Sequence, residues 1–307
     1  MKINVLIIGL GNIGLKYDFH EKSRNIFKTH SKSLSYHKNF NLIGAVEKDI
    51  KLRIKFQNKY KLPTYYNLSN ALMKTAPEMI VVSIPTNLHF SFFKKILKYK
   101  SLKYVLFEKP LGKNIQECFK IIKLSEKNNI KLYVNYIRNY QNKITNFFSN
   151  KTIINTNKKN IITIYYTGTI LNNCSHFLAL IIKLYKFQNI KKVKLVRKFY
   201  NKPKEFNFEI NNSLFIFKNK VSTDIRVNEI KISNLNYDIK FNSTNENILI
   251  YNNKTKKVSK INTGMKAYQL NVYKKIFIDI NNNLIDKSSY LISYETHKLI
   301  KKINDLI

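Results

Sequence analysis

Gly9-Leu10-Gly11-Asn12-Ile13-Gly14 follows directly on an apolar run, Ile3–Ile8, and this junction constrains the chain more than any other part of it. A short, largely apolar run suits a strand buried on both faces. A strand, a tight glycine turn and a helix together make the pyrophosphate site of a dinucleotide-binding unit. The first glycine permits the turn, the second lets backbone approach phosphate, and the third lets helix pack on strand. Amides at the helix start then face the phosphate charge. Gly9, Gly11, Asn12, Ile13 and Gly14 are therefore candidate cofactor contacts.

The pattern continues as alternating strands and helices. After the first strand, the apolar runs predict strands over 42–46, 64–66, 79–84, 104–107 and 131–136. Helical periodicity falls over 50–60, 68–74, 89–98 and 115–128. An unusually long stretch, 16–38, separates the glycine turn from the second strand. After about residue 150 the texture changes to short strands over 161–166, 192–199, 214–217, 229–232, 237–241 and 248–251, divided by asparagine-rich turns. Helices over 265–280 and 289–307 close the chain. The fold class expected is α/β: a doubly wound parallel sheet in residues 1–125, then an α+β domain with an open, mainly antiparallel sheet in 126–307. The last helix is free to pack back on the first domain.

At 307 residues, with 44% hydrophobic and 13% aromatic content, the chain has material for two cores and is not disordered. No run approaches the roughly 18 apolar residues of a membrane span, and no secretory signal is seen. Cys118 and Cys174 have neither zinc nor redox spacing, and the six histidines cannot be assembled into a metal cluster, so no metal is expected. A reduced, cytoplasmic location is the default. The net charge of +37 invites a nucleic-acid reading. The basic residues are nearly all lysine, however, with arginine only at Arg24, Arg53, Arg138, Arg197 and Arg226. Lysine, asparagine, isoleucine, tyrosine and phenylalanine are abundant together, a bias that an AT-rich genome imposes on any protein. The lysines are dispersed as a solvated face would be, and no specific nucleic-acid partner is expected.

Four further places carry candidate chemistry. Glu47 ends the second strand, where a carboxylate can accept both hydroxyls of an adenosine ribose and repel a 2′-phosphate. That favours NAD, while Lys48 beside it leaves NADP open. Pro85, Thr86 and His89 follow the fourth strand and can shape the crevice wall; the alternative is an ordinary strand-to-helix turn capped by Thr86 or Asn87. Glu108-Lys109-Pro110 ends the fifth strand, at the edge where open parallel sheets bind ligands. Pro110 turns Lys109 away from helical torsions, and its ammonium could stabilise an alkoxide beside a nicotinamide. Finally, Asn172-Asn173-Cys174-Ser175-His176 precedes an apolar helical stretch, 177–187, placing His176 in a first helical turn. There it could trade a proton near neutral pH, as hydride transfer to or from an alcohol requires. The alternative is a histidine satisfied within a core.

The order of these motifs is similar to that of the glucose–fructose oxidoreductase / inositol dehydrogenase (Gfo/Idh/MocA) family. The resemblance is strongest over 1–138 and around His176, and faint over 190–260. It implies an N-terminal Rossmann domain binding NAD(P), with Glu108 among the cofactor contacts, and a C-terminal sheet commonly used for homo-oligomerisation. Lys109 matches the family's catalytic lysine and His176 its acid/base histidine. Tyr136 and Arg138, in the segment leading out of the first domain, match positions near the substrate, as do Asn172 and Asn173. Three positions depart from the family pattern: Asn172 stands where an aspartate is common, Cys174 replaces a glycine, and Ala179 replaces an aspartate found in many members. An asparagine can orient an imidazole but cannot stabilise an imidazolium by charge.

The reading that follows is an NAD(P)-dependent oxidoreductase acting on a sugar or nucleotide-sugar hydroxyl or carbonyl, with a role in surface polysaccharide synthesis. Lys109 and His176 are then expected to converge on one substrate. Two alternatives stay open: a non-catalytic member that binds NAD(P) as sensor or scaffold, and a nucleic-acid binder suggested by charge alone.

Overall fold

The computed structural model describes residues 2–154, 159–197, 205–220, 228–282 and 288–306. They form two compact units: Met1–Tyr140 with Lys266–Tyr294, and Gln141–Met265 with Glu295–Ile307.

The first unit begins with β1 (Ile3–Ile8), α1 (His30–Tyr36), β2 (Phe40–Val46), α2 (Ile50–Tyr60), β3 (Thr64–Tyr65) and α3 (Leu68–Thr75). It continues with β4 (Met79–Val82), α4 (His89–Ile96), β5 (Tyr104–Phe107), α5 (Ile115–Lys127) and β6 (Lys131–Val134). All strand pairs are parallel, in the order β3-β2-β1-β4-β5-β6. The sheet therefore extends past residue 125. Val5, Leu6, Ile7 and the whole of β4 are fully buried, as strands covered on both faces must be. Chain order reverses between β1 and β4, which places the ligand-binding crevice of such a sheet beyond their carboxyl ends.

The helix expected directly behind the glycine turn is not there. A single 3-10 turn, Lys16–Asp18, follows it, and the first α-helix waits until His30. The intervening loop is closed by the buried Asp18, whose carboxylate accepts from the Lys28 amide at 2.6 Å, the Thr29 amide at 3.1 Å and the Thr29 hydroxyl. The start of α1 then returns to the turn: the His30 and Ser31 amides donate to the Ile13 and Gly14 carbonyls. The long 16–38 stretch is thus a loop inserted ahead of a helix that still docks where it should.

The second unit opens with α6 (Asn142–Phe148), β7 (Asn160–Tyr166), α7 (Ser175–Tyr185) and β8 (Lys191–Arg197). There follow β9 (Glu205–Ile210), β10 (Ser213–Asn219), β11 (Glu229–Ser233), β12 (Tyr237–Phe241), β13 (Asn247–Asn252) and β14 (Val258–Asn262). These make an eight-stranded sheet in the order β14-β13-β12-β11-β7-β10-β9-β8, antiparallel except between β7 and β10. Alternation puts Phe206, Phe208, Phe215, Phe217, Ile230, Ile232 and Phe241 on a buried face. Two strands escape the sequence reading. β9 alternates Phe206, Phe208 and Ile210 with Glu205, Asn207 and Glu209, a period-two signal that was there to be found. β14 is exposed except for the half-buried Ile261 and carries none. Of the strand expected over 192–199, positions 198 and 199 lie outside the described residues, as does Arg226. The chain closes with α8 (Tyr268–Asn281) and α9 (Ser288–Asn304); residue 307 of the expected last helix is likewise outside them. Among the described residues no helix is long and apolar enough to cross a membrane.

Candidate functional site

The glycine turn shows what each glycine does. Gly9 has φ +95°, and a Cβ there would lie 2.6 Å from the Ser83 carbonyl oxygen at the end of β4. A Cβ on Gly14 would overlap the Gly9 carbonyl. Both are required by the chain's contact with itself. Gly11 is different, because a Cβ there would meet nothing within 4 Å. The turn is held by its carbonyls: Gly11 accepts from the Leu15 and Lys16 amides, Asn12 from Tyr17, Ile13 from His30 and Gly14 from Ser31. The Gly11, Asn12 and Ile13 amides donate to no acceptor among the described residues. Successive outward amides of this kind form a concavity for an anion. The residues present fit a dinucleotide diphosphate.

Glu47 lies at the end of β2 against this turn. Its Oε2 accepts from the Leu10 amide at 2.7 Å, and its Oε1 accepts from the Lys48 and Asp49 amides at 2.7 and 3.0 Å. Arg53 donates to the Glu47 and Lys48 carbonyls at 2.8 and 2.9 Å, so the whole corner is braced. Behind β4, the Ser83 hydroxyl donates to the Ile8 and Gly9 carbonyls. Pro85 is exposed and Thr86 half-buried in a 3-10 turn, Thr86–Leu88, which has no side-chain cap. The capping alternative for Thr86 and Asn87 is therefore not what the structure shows. His89 does begin α4, but it is fully buried, with Nδ1 at the Leu111 carbonyl and Nε2 at the Ile84 carbonyl. Burial lowers its pKa despite these two acceptors. The ring ties together the loops behind β4 and β5 and is not presented as a cofactor contact.

Glu108 and Lys109 leave β5 at the same carboxyl edge, and the Lys109–Pro110 peptide is cis. The Glu108 Oε1 receives Nε2 of His30 at 3.0 Å and the side-chain amide of Asn135, just beyond β6. The other His30 nitrogen meets the Tyr273 hydroxyl at 2.7 Å, and Asn135 also donates to Gln269 Oε1 at 3.0 Å. Burial alone would raise the Glu108 carboxyl; the hydrogen bond and charge of His30, the Asn135 amide and the Lys109 charge outweigh it, holding the group below its ordinary range. His30, Asn135, Gln269 and Tyr273 were not among the expected site residues. Tyr136 and Arg138 are buried to 1% and 5% exposure, and burial brings the Arg138 guanidinium down to about 10.

The second unit positions His176 separately. Ile170–Cys174 forms a wide π-type turn, capped by the Thr169 hydroxyl accepting from the Asn172 amide. Such turns recur at functional sites. Asn172 is exposed, while the Asn173 side chain closes the turn by donating to the Thr167 carbonyl at 2.7 Å. His176 is the second residue of α7 and half-buried, as its position in a first turn predicted. Cys174 is fully buried and its thiol is pushed well above the ordinary range, which removes it as a nucleophile. No three metal-ligating side chains gather among the described residues.

A parallel sheet of this order, with turn amides at its switch point that meet no acceptor among the described residues, defines a Rossmann dinucleotide-binding unit; the other unit is α+β with an open sheet. Residues 3–136 match the model of the Gfo/Idh/MocA oxidoreductase family, NAD-binding Rossmann fold. NAD is accordingly its cofactor class. A search of curated proteins gives no sequence match. Among solved structures, a dehydrogenase (MviM) from Clostridium difficile is 18% identical with a TM-score of 0.77, covering 100% of both chains. The UDP-N-acetylglucosamine 3-dehydrogenase GnnA from Acidithiobacillus ferrooxidans is 11% identical with a TM-score of 0.75, covering 100% of this chain and 98% of its own. A super-repressor mutant of Gal80p from Saccharomyces cerevisiae is 14% identical with a TM-score of 0.75, covering 100% and 96%. At these identities the likeness is one of fold.

Proposed function

We propose that this protein is an NAD(P)-dependent oxidoreductase that moves a hydride between the nicotinamide and a sugar or nucleotide-sugar carbon. The observation that carries the reading is Lys109 at the carboxyl end of β5, directly after a carboxylate locked in one orientation. The glycine-turn amides would hold the diphosphate, Glu47 the adenosine ribose and Glu108 the nicotinamide-side ribose. The bound dinucleotide supplies the hydride or accepts it. Lys109 would polarise the reacting oxygen as charge develops there, and His176 would carry the proton. The similarity to a UDP-N-acetylglucosamine dehydrogenase supports a nucleotide-linked substrate, and with it a place in surface polysaccharide synthesis. The open sheet of the second unit would serve assembly into a homo-oligomer.

A second reading, NAD(P) binding without turnover, is favoured by Asn172, which stands where an aspartate is common in the family, and by the likeness to Gal80p. One experiment separates the two. NADH binding is measured by calorimetry, and NADH absorbance is then followed with a panel of UDP- and TDP-linked sugars and free polyols. Binding with turnover on any member supports the enzyme; binding without turnover on all of them supports the second reading. No NADH binding at all sinks both.

A further inference from the structure

The first unit contains a chain of buried polar side chains that ends at the carboxyl edge of its sheet. His30, fully buried on α1, joins the Tyr273 hydroxyl of α8 to the Glu108 Oε1. Asn135, also fully buried, gives one amide hydrogen to the same Oε1 and the other to Gln269. The orientation of Asn135 is forced, since its oxygen cannot face a carboxylate. One oxygen of Glu108 therefore takes both donors. Its Oε2 takes none from the described residues, and the side chain keeps 15% exposure at the sheet edge. The helices that carry His30 and Tyr273 are also tied together at their starts. The Phe27 amide donates to the Lys266 carbonyl, the Gln269 amide to the Phe27 carbonyl and the Tyr268 hydroxyl to the Lys28 carbonyl.

A carboxylate taken out of water survives ionised only when hydrogen-bonded. Two donors on one oxygen satisfy that need and leave the second oxygen as an oriented acceptor for a hydroxyl. We infer that His30 is a positioning residue: through Nε2 it holds Glu108 in one rotamer, with Oε2 turned to a ribose hydroxyl on the nicotinamide side of the dinucleotide, and Tyr273 fixes the imidazole in turn. The inference rests on the reading that this unit binds NAD(H).

The test is calorimetry with two probes, NADH and ADP, the second lacking the nicotinamide-side ribose. His30→Ala should weaken NADH about tenfold, the scale of one charge-assisted hydrogen bond, and leave ADP unchanged. His30→Gln, whose amide can still donate to Glu108, should restore most of the NADH affinity. Glu108→Gln should resemble His30→Ala, and the double variant should lose little more, because the two act as one unit. Three outcomes overturn the inference: NADH affinity unchanged in His30→Ala, equal losses in His30→Ala and His30→Gln, or ADP and NADH weakened together. Should His30→Ala fail to fold, Tyr273→Phe decides. A few-fold NADH loss with ADP intact supports the role, and no change or a parallel loss refutes it. Wild-type protein that binds ADP but not NADH refutes this inference together with the functional reading. A normal wild type with an indifferent His30→Ala refutes the inference alone.

Discussion

The amide of Leu10 donates to Oε2 of Glu47 at 2.7 Å, so the glycine turn after β1 and the end of β2 are one rigid corner across 37 positions of sequence. A carboxylate held there by three amides is fixed before any ligand arrives. Glu47→Ser should keep the fold, because Arg53 still braces the two carbonyls, but should lower the preference for NAD over NADP by about tenfold, the cost of one charge-assisted contact. Calorimetry with both dinucleotides measures it. An unchanged ratio would remove Glu47 from the cofactor site.

The three glycines separate folding from binding. Gly9→Ala should lower the melting temperature, because its left-handed φ and the Ser83 carbonyl both oppose a side chain. Gly11→Ala should melt like the wild type, since its Cβ meets nothing, yet bind NADH at least about tenfold more weakly as the methyl fills the approach to the diphosphate. Equal NADH affinity in Gly11→Ala would sink the diphosphate assignment.

For the chemical step, Lys109→Ala should abolish turnover while leaving NADH affinity nearly intact, because a contact made in the transition state affects rate rather than binding. His176→Ala should cost on the order of 10²–10⁴-fold in rate. Asn172→Asp, on the exposed turn ahead of α7, should raise the rate by giving the imidazolium a carboxylate. Wild-type rates in Lys109→Ala would refute the site.

Acid should weaken the second unit through His297 of α9. The residue is 3% exposed, and burial brings its pKa from the ordinary 6.5 to about 4. The unfolded chain binds a proton near 6.5 that the folded chain refuses, so stability is full above that value and falls as pH drops toward 4. Between pH 7 and pH 5 the loss is on the order of 2 kcal/mol. His297→Leu should flatten this part of the pH–stability curve in chemical denaturation. A curve identical to the wild type would assign the acid sensitivity elsewhere.

The lysine excess predicts weak, sequence-indifferent attraction to nucleic acid. Any duplex DNA binding should collapse between roughly 50 and 200 mM salt, as counterion release dictates. A salt-resistant, sequence-selective complex in gel shifts would return the polyanion reading to contention.

What the sequence determined by itself is what rests on neighbouring residues. The apolar run Ile3–Ile8, the glycines after it and the strand–helix alternation up to β6 reveal a doubly wound sheet, because burial on two faces and left-handed turns leave local marks. The same locality put Lys109 at a strand end and His176 in a first helical turn. The exposed β14 had no buried face to mark it, and α1 lay behind an inserted loop that hid its link to the glycine turn. Only the tertiary structure decided the rest. His30 stands 78 positions from Glu108 and 243 from Tyr273, and nothing in its own neighbourhood distinguishes it from the histidine buried at 89. Which polar side chains share a buried space is set by how helices return to the sheet, and hydrogen bonds formed there leave no periodicity along the chain.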